Sequence, residues 1–96
     1  MDTEILEFIK RRFRSSDRWL EGNCYYFAKI LEARFGLEIV YCPIPGHFMA
    51  RDKNSGLFYD WLGHHTEDEV VPYYVWNELE TAEPRLYRSI VEDCVM

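Results

Sequence analysis

The stretch Gly46-His47-Phe48-Met49-Ala50-Arg51-Asp52-Lys53-Asn54-Ser55-Gly56-Leu57-Phe58-Tyr59-Asp60-Trp61-Leu62-Gly63 decides the fold. Two runs rich in apolar and aromatic residues, 47–51 and 57–62, flank Asp52-Lys53-Asn54-Ser55-Gly56, which has the composition of a turn. The pattern predicts an antiparallel hairpin. With Asn54-Ser55 at its tip, Lys53 faces Gly56, Met49 stands across from Asp60, and His47 across from Leu62. Side chains alternate along a strand, so His47, Met49 and Asp60 share one face. His47 and Asp60 are then diagonal neighbours, about 7–8 Å apart between backbones. A one-residue slip at the Gly56 turn would send Asp60 to the other face.

Working outward, Leu37 to Cys42 reads as a preceding strand, interrupted by Pro43-Ile44-Pro45-Gly46. Before it lies a helix with Asn23 as N-cap, Gly36 as stop and Phe27, Ala28, Leu31 and Phe35 as its buried stripe. Ile5, Leu6, Ile9 and Phe13 predict an earlier helix over 3–14, capped by Asp2 or Thr3 and broken by Ser15-Ser16-Asp17. After the hairpin, Gly63 ends the strand. His64 to Tyr74 reads as a loop plus a short edge strand, followed by a helical turn at Trp76–Glu80. A last helix begins near Glu83-Pro84, with Leu86, Tyr87, Ile90, Val91 and Cys94 on its apolar face. The expected architecture is one α+β domain over residues 1–96, with N-terminal helices on a small antiparallel sheet and a C-terminal helix.

Composition narrows the functional classes. With 48% hydrophobic and 17% aromatic residues, a chain of 96 residues can bury a core. The net charge of −6 is uneven: residues 1–34 carry seven Lys/Arg against six Asp/Glu, and residues 35–96 carry four against eleven. The basic cluster Lys10, Arg11, Arg12, Arg14 and Arg18 reads as a solvated helix end that offsets the helix dipole. An acidic second half argues against a nucleic-acid partner and is compatible with docking onto a basic protein. The longest uncharged run, Ile39 to Ala50, holds two prolines and a histidine, so no membrane span is expected. Met1-Asp2-Thr3-Glu4 lacks the order of a signal peptide, which places the protein in a cytoplasm. Cys24, Cys42 and Cys94 are expected reduced there. Cys42 and Cys94 read as small core residues.

Cys24 has a different setting, on the first turn of a buried helix. Free backbone N–H groups and the positive dipole end favour a thiolate there, and Gly22 lets a substrate carbonyl approach the backbone. A small buried residue at a helix start explains Cys24 equally well. His47, at the start of a strand, is placed to overhang a neighbouring helix end. Asp60, flanked by Phe58, Tyr59, Trp61 and Leu62, needs a partner if buried. That partner is either the His47 ring, held through Nδ1–H as in a triad, or a structural one such as Arg51.

Gly22-Asn23-Cys24 opening a helix, Gly46-His47-Phe48 on a strand and Tyr59-Asp60-Trp61 on the next resemble the Cys-His-Asp core of transglutaminase-like and other papain-like cysteine hydrolases. The resemblance covers about residues 19–62. It implies a papain-like core in which Cys24 is the nucleophile, His47 the base and Asp60 the orienting acid. Where papain-type enzymes carry an oxyanion glutamine six residues before the cysteine, this chain has Arg18. The oxyanion hole then needs Cys24 N–H and a second donor, Asn23 or the Trp19 indole. Trp61, beside Asp60, joins them as a substrate-binding residue. The closing stretch Arg85 to Cys94 is similar to small phage and prophage proteins of unknown role.

Two classes follow: a thiol hydrolase or acyltransferase acting on an amide, ester or peptide, and a non-catalytic binding protein on the same fold. An acidic phage-encoded inhibitor of a host defence complex is an example of the second. Both take a protein or peptide as substrate or partner, and neither needs a cofactor. A metal site built from His64, His65 and Cys42 or Cys24 is not expected, because adjacent histidines point apart and the spacing matches no usual ligand set. His64 and His65 are expected on a loop near the mouth of the site.

Overall fold

The computed structural model describes residues 2–13, 23–43, 46–66 and 73–95. Helix α1 spans Asp2–Arg12 and α2 spans Cys24–Phe35. Strands β1 (Glu38–Cys42), β2 (His47–Arg51), β3 (Phe58–Asp60), β4 (Gly63–His65) and β5 (Tyr74–Val75) follow. Helices α3 (Trp76–Ala82) and α4 (Pro84–Ile90) close the chain, with a π-helical turn over Val91–Val95. The class is α+β, with four α-helices among the described residues and one antiparallel sheet in the order β4-β3-β2-β1-β5. Arg14, Arg18, the break at 15–17, Trp19, Gly22, Pro45, residues 67–72 and the side chain of Cys94 lie outside what is described. No described helix is long and apolar enough to cross a membrane.

Local chemistry accounts for these elements. Gly36 ends α2 in the left-handed conformation, at φ 71°, and donates its N–H to Glu32 O at 2.9 Å. Asn23 holds the N-cap position without a side-chain capping hydrogen bond, while its carbonyl accepts the Phe27 N–H. The central hairpin has the expected register, with Ala50 opposite Tyr59 and Arg51 opposite Phe58. Asp52 closes its turn by accepting the Asn54 N–H on Oδ1 and the Gly56 N–H on its carbonyl.

Beyond Asp60 the chain departs from expectation. Gly63 opens a strand rather than ending one, and His64 and His65 are strand residues, not loop residues. The Leu62 N–H binds Asp60 Oδ1 at 2.8 Å, so the aspartate folds its own chain back at Trp61-Leu62. Gly63 supports the turn with φ 121°, which a side chain would strain. The returning strand pairs Asp60 with Gly63, Tyr59 with His64 and Phe58 with His65.

Strand alternation sorts the sheet into two faces. Ile39, Tyr41, Phe48, Ala50 and Tyr59 point to the helices and join Ile5, Ile9, Cys24, Phe27, Leu31 and Leu79 in the main core. Val40, Cys42, Met49 and Phe58 form a second buried cluster on the opposite face, with Tyr73 and Val75 against it. Each fully buried large side chain contributes about 1.5–3 kcal/mol, so the core carries the fold.

Candidate functional site

Asp60 is the centre of the polar chemistry on the second face. It is the last residue of β3 and only 3% exposed, so its carboxylate must be satisfied by the protein. Oδ1 accepts the Leu62 N–H and lies 2.8 Å from His65 Nε2. Since an ionised carboxylate accepts only, the His65 Nε2 that meets it is the donor of this contact. Oδ2 lies 3.7 Å from His47 Nε2. The atom facing Asp60 is therefore Nε2, not the Nδ1 expected from the sequence. The change matters, because it leaves Nδ1 as the ring nitrogen that does not face Asp60.

His47 is half-buried, and among the described residues its Nε2 has no hydrogen-bond partner. Burial depresses its proton affinity below the ordinary imidazole value; the Asp60 charge opposes that shift and a charge on His65 adds to it. The ring is accordingly neutral at neutral pH, the form a base requires. Arg51, the alternative partner for Asp60, is engaged elsewhere. Its guanidinium pairs with Glu38 and donates to the Tyr73 hydroxyl at 2.6 Å.

Cys24 is the first residue of α2 and only 3% exposed. Its side chain belongs to the core on the helix-covered face. His47 and Asp60 project from the opposite face, since Phe48 and Tyr59, their strand neighbours, point to the helices. The structure thus brings His47 and Asp60 together and places Cys24 on the other face. The start of α2 nevertheless sits by the start of β2: the Tyr25 ring packs edge-on to Phe48, next to His47, at 5.1 Å between centroids.

The thiol on the face of His47 is Cys42, directly opposite it across β1 and β2. It is fully buried, and burial first, then the Asp60 charge, push its pKa up to about 12. Such a thiol is inert as a nucleophile at neutral pH.

Asn23 precedes Cys24 and holds the N-cap position of α2. Trp19 lies outside the described residues. Trp61 is on the β3–β4 turn, where with Leu6, Ile9 and Phe13 it lines a groove of about 310 Å³ on the α1 side. Among the described residues no group of three or more His, Cys, Asp or Glu side chains is arranged to hold a metal ion.

His65 is the residue that sequence reasoning missed. Its ring is nearer to Asp60 than that of His47, and the signal that would have found it is the aspartate-closed turn at Asp60-Trp61-Leu62-Gly63. Compared with known proteins, the chain matches no family model, no curated protein and no solved structure.

Proposed function

We propose that the protein is a small thiol hydrolase or acyltransferase with a papain-like or transglutaminase-like core, acting on an amide or ester of a protein or peptide. Cys24 is the nucleophile, His47 the base and Asp60 the acid that orients it. The observation that carries this reading is a neutral, half-buried imidazole whose Nε2 faces a buried, doubly held carboxylate. That arrangement frees Nδ1 for proton transfer at the end of the sheet where α2 begins.

In the reaction, His47 Nδ1 takes the Cys24 proton as the sulfur attacks the carbonyl carbon. The C–S bond forms, and the carbonyl electrons move to an oxyanion that accepts hydrogen bonds from Cys24 N–H and Asn23. Collapse expels the amine or alcohol, which leaves with the proton from His47. Water or a second amine, deprotonated by the same ring, then clears the thioester. This chemistry requires the Cys24 sulfur to turn out of the core and around the end of the sheet to meet Nδ1.

A second reading, that the protein binds a basic partner without catalysis, is favoured by one observation: Cys24 is buried on the face opposite His47. Iodoacetamide alkylation of the native protein, followed across pH at each cysteine by peptide mass mapping, separates the two. The hydrolase reading expects Cys24 to react well below the free-thiol pKa of about 8.5, and His47→Ala to slow that reaction at neutral pH. A Cys24 that stays inert until the protein unfolds would overturn it and leave the binding reading.

A further inference from the structure

Two imidazoles converge on one buried carboxylate from the two strands that flank β3. His47 on β2 faces Oδ2 at 3.7 Å, and His65 on β4 holds Oδ1 at 2.8 Å. The Leu62 N–H shares Oδ1, so rotation of the carboxyl group is blocked by two donors on one side. We infer that His65 is a positioning residue of this site: it fixes one oxygen of the carboxylate whose other oxygen faces His47, so that the two rings share a single anion.

On this face His47 looks across to Cys42 on β1, whose thiol stays neutral, and diagonally to Asp60. The nearest cation on its own strand, Arg51, lies two same-face positions along and is paired with Glu38. Lys53 pairs with that same glutamate. Helix α2, packed on the other side of β2, brings Cys24 and Tyr25 to this end. His64 points to the helix-covered face, where it meets Asp2. A proton on His65 therefore acts on His47 through Asp60 and through direct repulsion, and the direction of the His47 shift agrees. Rings that share one anion are read as a coupled pair and not as independent sites.

This inference rests on the hydrolase reading only for its consequence, the proton affinity of the base; its geometry stands without it. The test is ring titration of all three histidines by NMR in the wild-type chain and in His65→Gln and His47→Gln. Glutamine keeps an N–H donor near Asp60 and removes the titrating ring. The midpoint of His47 should rise in His65→Gln, because the competing cation is gone. The coupling itself is reciprocal, but the ring that protonates first does so beside a neutral partner, so only the ring that protonates second must shift when the other is removed. His64, on the other face, should not move in either variant. A His47 midpoint that coincides in wild type and His65→Gln, together with a His65 midpoint that coincides in wild type and His47→Gln, would overturn the inference. Should the coupled shift appear while Cys24 proves inert to iodoacetamide, the positioning role stands and the hydrolase reading alone falls.

Discussion

His64 and His65 are neighbours in the chain, and each finds an aspartate, but on opposite sides of the sheet. His64 Nδ1 lies 3.1 Å from Asp2 Oδ1 on the helix-covered face, with side chains 45% and 39% exposed. His65 Nε2 lies 2.8 Å from Asp60 Oδ1 on the other, with side chains 23% and 4% exposed. The contacts are alike in chemistry and differ in solvent. Water screens the first pair, so its attraction is weak and sensitive to salt. The second carboxylate has lost its water and depends on its protein donors. Exposure, more than distance, decides which pair the fold depends on.

The largest expected effect comes from removing the buried carboxylate. Asp60→Ala strands the His47 and His65 rings and the Leu62 N–H together. Urea unfolding should show a loss of about 3 kcal/mol or more, a large part of the roughly 5–15 kcal/mol available to a domain. A loss below about 1 kcal/mol would mean that water replaces the carboxylate, and the contrast between the two faces would vanish.

A smaller effect sharpens the same contrast through pH. His47 binds its proton less readily when folded than when unfolded. The unfolded chain therefore takes up more protons as pH falls through about 6.5, and folding stability is lost in that window. Above it the contribution is fully present. Urea midpoints measured from pH 8 to pH 5 should fall, and His47→Gln should flatten that part of the curve. An unchanged slope in the variant would place the acid sensitivity in another group.

The central hairpin was legible from sequence because turn composition and strand length pointed to Asn54-Ser55 at its tip, and Asp60 and His47 share a face as that register requires. Two features were not legible, for different physical reasons. The β3–β4 turn carries Trp61 and Leu62 at its centre, residues that read as strand, and it is closed by an aspartate side chain rather than by Asn-Gly. So β4 was hidden, and His65 with it. The side on which the helices pack was also hidden. Val40, Tyr41 and Cys42 on β1, Phe48, Met49 and Ala50 on β2, and all of β3 are buried, so both faces read as apolar and no polar alternation marks the covered one. Placing Cys24 at a helix start was therefore possible from sequence, whereas placing it relative to His47 was not.

The smallest effect belongs to the exposed pair, and it is the control that gives the larger ones meaning. Asp2 accepts the Tyr59 hydroxyl at 2.6 Å as well as His64, tying the first residue of α1 to β3 and β4. The Tyr59 hydrogen bond, ahead of the His64 contact, lowers the carboxyl's proton affinity. A lowered carboxyl stabilises the fold above its ordinary range and loses that contribution as pH falls through about 4. Because the group is largely solvated, Asp2→Asn should cost less than about 1 kcal/mol at neutral pH, and the part owed to His64 should fade in high salt. Tyr59→Phe should cost more than His64→Ala, since Tyr59 is fully buried and its hydroxyl bond is shielded where the imidazole contact is not. If His64→Ala proved the costlier change, solvent exposure would no longer rank these contacts, and the special weight given to the buried carboxylate would have to rest on the geometry of its two rings alone.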